Sequence, residues 1–226
     1  MKKISVLLIV LSLFFSLTIP KDANAQISKD SKNIEQIFLN DLITKSKSTN
    51  PTEKETAIEN LNVYKNFDEK TKQKFLKIVQ DPNLIEKNII VTKGKENTAS
   101  QNNNFTTYAA KATTSNKTIR KNFDFKILGI KVYGIHLELD YKVKSARPVS
   151  TTKAKSYVTY SYHPLATIKR IDISHKIATD GQAYAKAKYS YAMNPFRGLN
   201  YQAGVQAVSI AGDGVGNLVY TNAWKE

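Results

Sequence analysis

The run from Ile130 to Lys144, IKVYGIHLELDYKVK, constrains this chain more than any other stretch. From Tyr133 onward the odd positions hold Tyr133, Ile135, Leu137, Leu139, Tyr141 and Val143. The even positions hold Gly134, His136, Glu138, Asp140, Lys142 and Lys144. Alternation kept up this long fits a β-strand with one buried face and one wet face. A helix would scatter the same apolar residues around its circumference.

The pattern recurs across the second half of the chain. Phe123, Phe125 and Ile127 alternate with polar neighbours, and Leu128-Gly129-Ile130 then bends the chain. Ser145 to Thr152, with Arg147-Pro148, reads as a loop. Further runs are Val158 to Tyr162, Thr167 to Ile177, Ala183 to Met193, Tyr201 to Ile210 and Leu218 to Trp224. Asp180-Gly181 is a hairpin signal, Asn194 to Gly198 a turn, and Gly212 to Asn217 another turn. About seven strands without intervening helices pair antiparallel, because parallel strands need long crossovers. The expected fold is mainly β with a small α-helical N-terminal segment. Residues 118–226 would form an antiparallel β-sandwich of about seven strands, with a small barrel as the alternative. The row Ala183, Ala185, Ala187 implies close approach of a bulky neighbour from the facing sheet.

Residues 26–92 read as helical. Asp30 or Ser31 would cap a first helix with the stripe Ile34, Ile37, Phe38 and Leu42. Asn50-Pro51-Thr52-Glu53 is a second start, with Asn as cap and Pro in the first turn. Its stripe is Ala57, Ile58, Leu61 and Tyr64. Asp68 would open a third helix, with Phe75, Leu76 and Val79 inward and Asp81-Pro82 at its end. Three short helices bury little surface alone, so they either pack on the second half or form a marginal unit. Residues 93–117 are polar and read as a linker, with strand character open from Thr106 to Ala112.

The first 25 residues carry an export pattern. Lys2 and Lys3 precede an apolar run from Ile4 to Ile19, and Ala23-Asn24-Ala25 offers a small-x-small cleavage site. Secretion is the expected address, with or without retention at the cell surface. The chain has no cysteine, which rules out disulfides, thiolate metal sites and a lipidated cysteine, and leaves folding to the core. Many Lys and Asn residues in a cysteine-free exported chain fit a Gram-positive bacterium.

Charge is unevenly placed. Residues 26–100 hold 13 basic and 11 acidic side chains, whereas residues 101–226 hold 18 basic and 7 acidic. Such an excess attracts anionic polymers and surfaces. The implied partner is an anionic cell-envelope polymer or a membrane surface, with a protein as the alternative and no obligate nucleic acid partner.

The motif F-x-F-x-x-L-G-x-K-V-Y, from Phe123 to Tyr133, and S-I-A-G-D-G, from Ser209 to Gly214, complete this layout. Together with the export pattern and polar lead-in they resemble uncharacterised small exported β-domain proteins of Gram-positive bacteria. The resemblance covers about half the chain. It implies fold and address, and it carries no catalytic residues across.

Chemistry is sparse. His136, His163 and His175 lie 27 and 12 residues apart, which matches no local metal motif. His136, Glu138 and Asp140 share the polar face of one strand, a row that reads as a solvated surface before it reads as a metal or acid–base site. His175 falls in the inward phase of its strand as a buried or edge histidine. No paired carboxylates, nucleophile elbow or phosphate loop stands out, and GDGVGN reads as a turn. No catalytic residue, metal ligand or cofactor is therefore assigned. The candidate binding residues are Lys142, Lys144, Tyr184, Lys186 and Lys188, because basic residues interleaved with aromatics bind polymers by stacking plus charge. The expected function is an exported, non-enzymatic protein whose basic β-sandwich binds an anionic envelope component or a partner protein. A secreted toxin or bacteriocin-like factor acting on membranes, and a hydrolase with an unrecognised site, are the alternatives.

Overall fold

The computed structural model describes residues 21–93, 114–196 and 199–226, with side chains over 33–92, 114–193 and 204–226. The segment before Lys21, most of the expected linker including Thr106 to Ala112, and Arg197 and Gly198 lie outside the described residues.

The N-terminal part is helical, as its caps dictate. α1 runs Lys21–Lys45, so it starts well ahead of the expected cap at Asp30. No Gly or Pro interrupts that interval, which leaves nothing to stop the helix from reaching back. α2 spans Pro51–Lys65, with the Asn50 side chain accepting from the Thr52 and Glu53 N–H groups. α3 spans Glu69–Gln80 under an Asp68 cap. Asp81 closes α3 and also caps a fourth helix, α4 (Pro82–Asn88), where only a terminator is expected.

Phe38, Tyr64, Phe67 and Phe75 knit the helices together through edge-on and tilted ring contacts. Two residues of the predicted stripes face out instead. Ile37 and Ile58 are exposed, because so small a bundle has room inside for only part of each helix face.

Eight strands follow in the described residues. They are β1 (Ile90–Lys93), β2 (Ser115–Ile127), β3 (Ile130–Lys144), β4 (Arg147–Ser161), β5 (Ala166–Ile177), β6 (Ala183–Phe196), β7 (Leu199–Gly212) and β8 (Leu218–Lys225). They form two antiparallel four-stranded sheets, β1-β2-β3-β4 and β5-β6-β7-β8, each a simple meander. The two sheets pack face to face as a sandwich. The inward residues of β3, Tyr133 to Val143 at alternate positions, are all buried, as are Ala183, Ala185 and Ala187 of β6. Each large β3 side chain contributes roughly 1.5–3 kcal/mol of burial before ordering costs are subtracted.

Several boundaries differ from the sequence reading. Ser145 to Thr152 is not a loop. Ser145 and Ala146, at φ of 51° and 56°, make a two-residue turn between paired Lys144 and Arg147, and β4 begins at once. That turn lacks the Gly or Asn that normally announces it, and Pro148 is tolerated because β4 is an edge strand. β2 starts inside the expected linker, and β1 adds an edge strand where only a loose apolar piece is expected. β6 continues through Asn194 to Phe196, which the sequence assigns to a turn. The Leu128-Gly129 and Asp180-Gly181 turns form where expected, with Gly129 at φ 88° and Gly181 at φ 79°.

The helical part and the sandwich share one continuous core. Asn60, fully buried on α2, donates to the Lys131 carbonyl at 2.8 Å and accepts from the Lys131 N–H at 2.9 Å. The Tyr162 hydroxyl donates to the Glu53 carbonyl at 2.5 Å, and Lys45 donates to the Ser161 carbonyl at 2.6 Å. The helices are thus docked on the end of the sandwich where β2 turns into β3. Among the described residues no helix is long and apolar enough to cross a membrane.

Candidate binding groove

Alternation along β6 sorts its side chains between two environments. Ala183, Ala185, Ala187, Tyr189 and Tyr191 face the core. Tyr184, Lys186 and Lys188 therefore stand on the outer face of the β5–β8 sheet.

Strand register decides what joins them. Tyr184 pairs with Ala211 and Lys188 with Ala207 on β7, and these alanines pair in turn with Tyr220 and Trp224 on β8. Between them Lys186 pairs with Ser209. The centre of the face is thus a floor of small residues, Ala207, Ser209 and Ala211, all buried beneath longer neighbours. Tyr184 and Lys186 make one wall, and Tyr220 and Trp224 the other. Ser174, His175 and Lys176 on β5 close the edge. The half-open pocket measures about 390 Å³, within the range of small-ligand sites.

Its walls are tied by specific contacts. The Tyr184 and Tyr220 rings lie 5.9 Å apart at 52°. The Lys186 ammonium sits 4.7 Å above the Trp224 ring, a cation–π contact. Lys186 and Lys188 each donate to the Glu226 carboxylate, at 2.6 and 2.7 Å on separate oxygens. These two hydrogen bonds hold the Glu226 carboxyl below its usual range. The Tyr184 hydroxyl donates to Asp180 at 3.1 Å, and burial followed by that bond raises its pKa.

Of the five candidate binding residues, the fold gathers Tyr184, Lys186 and Lys188 and separates Lys142 and Lys144. The latter two lie on β3 in the other sheet, exposed on its outward face. Tyr220, Trp224, Ser209 and Glu226 were not legible as site residues. The β8 alternation Tyr220, Asn222, Trp224 marks two of them as sharing a face, but only the β7–β8 register places that face beside β6.

The histidines take three different positions. His136 lies on the outer face of the β1–β4 sheet yet is buried rather than solvated, stacked on Tyr157 at 4.9 Å and 2.7 Å from Asn122 Oδ1. Burial lowers its pKa against the opposing pull of Glu138, whose Oε2 is 3.7 Å away. Glu138 is engaged by Lys155 at 2.7 Å and Asp140 by the Thr118 hydroxyl at 2.7 Å, so the polar row is dispersed among separate partners. His175 is exposed at the β5 edge, 2.8 Å from the Thr151 hydroxyl. His163 is buried under the β4–β5 connection, edge-on to Tyr191, and desolvation brings its pKa down to about 3.

Among the described residues no group of three His, Cys, Asp or Glu side chains could hold a metal ion. The GDGVGN turn is built on Asp213, whose Oδ1 accepts from the Val215, Gly216 and Asn217 N–H groups at 2.8–2.9 Å. No family model, curated protein or solved structure matches the chain.

Proposed function

We propose that the protein is an exported, non-enzymatic binding protein that takes an anionic component of the bacterial envelope into the groove on the β5–β8 sheet. The observation that carries this reading is the convergence of Tyr184 and Lys186 with Tyr220 and Trp224 around a floor of small residues. Aromatic faces next to ammonium groups suit a polymer that presents both apolar ring faces and negative charge. The excess of basic over acidic residues in 101–226 supplies long-range attraction to such a polymer, while the groove supplies the contact. Export rests on the n-region, apolar run and Ala23-Asn24-Ala25 pattern of the first 25 residues. The groove offers amines, hydroxyls and rings. Its carboxylate, Glu226, is occupied by two lysines.

The test is surface retention on the producing cell. Washing cells in rising salt should release the protein, because exposed ionic contacts are screened within about 10 Å at 0.1 M and more strongly above it. The Lys186→Ala, Lys188→Ala double variant should be released at lower salt than the wild type. Retention that ignores both salt and the double substitution would overturn the reading.

A further inference from the structure

Glu226 stands at the place a ligand's anion would take. Lys186 and Lys188 are two positions apart on one strand face, and they meet one carboxylate with one oxygen each. That arrangement matches any small anion with two accessible oxygens, a carboxylate or a phosphate. The rest of the lining is Tyr184, Tyr220, Trp224 and small residues, with His175 and Lys176 at the β5 edge. Tyr220 is 40% exposed, its ring near that of Tyr184, and Ser174 and Ser209 contribute to the lining.

The charge count on this face selects among anionic polymers. Its outward lysines are Lys169, Lys176, Lys186 and Lys188, and the acidic groups on or beside it are Asp172, Asp180 and Glu226. This face is nearly balanced although the second half as a whole is strongly basic. A nucleic acid carries a phosphate at every nucleotide and is held by a continuous basic track, which this face lacks. A sugar polymer with isolated acidic groups needs one anion subsite and adjoining ring surfaces, which this face has.

We propose that Glu226 is an internal stand-in for the ligand's anionic group, and that the ligand is a sugar polymer bearing isolated carboxylates or phosphates. This rests on the groove being the binding site. Binding then exchanges one anion for another. The ligand's acid takes the two lysine ammonium groups, Glu226 swings to solvent, and the adjoining ring lies against Tyr184 and Tyr220. Exposed ion pairs are weak, so Glu226 attenuates affinity without blocking the site.

The experiment follows emission of Trp224, the chain's one tryptophan, which lies directly under Lys186. Purified wild type, Glu226→Gln and the Lys186→Ala, Lys188→Ala double variant are titrated with two sugar polymers bearing sparse acidic groups, a phosphomannan and a low-substitution carboxymethylcellulose, and with neutral dextran and a single-stranded oligonucleotide. Equilibrium dialysis gives the affinities independently. Freeing the lysine pair should tighten binding of the acidic polymer by about three- to tenfold, leave dextran unbound, and leave thermal stability within a few degrees of wild type. A gain with the phosphomannan alone assigns a phosphate ligand, and a gain with the carboxymethylcellulose alone a carboxylate. Unchanged affinity in Glu226→Gln, with loss in the lysine variant, overturns the stand-in role and leaves the groove in place. No loss in the lysine variant, or no binding of either acidic polymer by any form, overturns the groove as well. Tighter binding of the oligonucleotide than of either acidic polymer overturns the ligand class.

Discussion

Asn60→Ala should loosen the joint between the helices and the sandwich by about 2–3 kcal/mol. Asn60 is fully buried and clamps both backbone groups of Lys131, at 2.8 and 2.9 Å. A net hydrogen bond contributes about 0.5–1.5 kcal/mol, and a buried group left without a partner costs about 1–3 kcal/mol. The two bonds lost sum to about 1–3 kcal/mol, and because Lys131 is only partly buried its freed backbone groups add only part of the second cost, which puts the loss in the upper half of that range. In urea, with a slope near the upper end of about 1–3 kcal/mol per molar, the midpoint should fall by about 1 M. Asn60→Asp keeps the acceptor for the Lys131 N–H and should fall between wild type and Ala. Two probes report the transition. Far-ultraviolet dichroism follows helices and strands together, and emission from Trp224 follows β8 at the far edge of the sandwich. Because helices and sheets share one core, both probes should move together in the variant. A midpoint within the error of wild type would refute the clamp. Helix loss at a urea concentration that leaves Trp224 emission unchanged would refute the shared core.

Three further outcomes follow from single groups. His163 is neutral in the fold, with its pKa brought down to about 3, while the unfolded chain binds a proton near 6.5. The unfolded state therefore gains the proton first as pH falls, so stability is full above about 6.5 and declines below it, by up to about 1.4 kcal/mol per pH unit. His163→Phe should flatten that part of the profile in urea melts at pH 5 to 7, and an unchanged slope would count against the assignment. Gly134→Ala would drive a Cβ into the Thr159 hydroxyl and the Tyr160 ring, whose hydroxyl donates to Asp124 at 2.7 Å. A cost of about 1–3 kcal/mol is expected, and a neutral substitution in thermal melts would show that Tyr160 does not lie across Gly134. Asp213→Ala removes three backbone N–H bonds from the β7–β8 turn. It should cost about 1–2 kcal/mol and lower Tm by about 3–6 °C, whereas Tm held within one degree would remove the turn from the account.

The strands were legible because burial on one face imposes a period of two, and the β3 sequence shows it from Tyr133 to Lys144. The caps of α2 and α3 were legible for the same local reason, since Asn50 and Asp68 satisfy N–H groups two or three residues ahead, whereas Asp81 reads only as a terminator in the sequence and caps α4 in the fold. The Ser145-Ala146 turn was not, because both residues occupy a left-handed conformation that their side chains do not advertise. The outward turn of Ile37 and Ile58 was hidden as well. Periodicity marks an apolar face but says nothing of how much of it a small bundle covers. For the groove, Tyr184, Lys186 and Lys188 were readable as one row, since a single strand carries them. Tyr220, Trp224 and Glu226 were not, because their approach to that row depends on pairing across β7. Lys142 and Lys144 share the composition of the row yet belong to the opposite sheet, a distinction that local pattern does not hold.

The most direct measurement is backbone amide mapping by NMR of the protein with and without the acidic sugar polymer proposed as its ligand. Shifts concentrated at Tyr184, Lys186, Ser209, Tyr220 and Trp224, with Lys142 and Lys144 unmoved, are the predicted result. Shifts centred on the outer face of the β1–β4 sheet, with the β6–β8 groove silent, would contradict it.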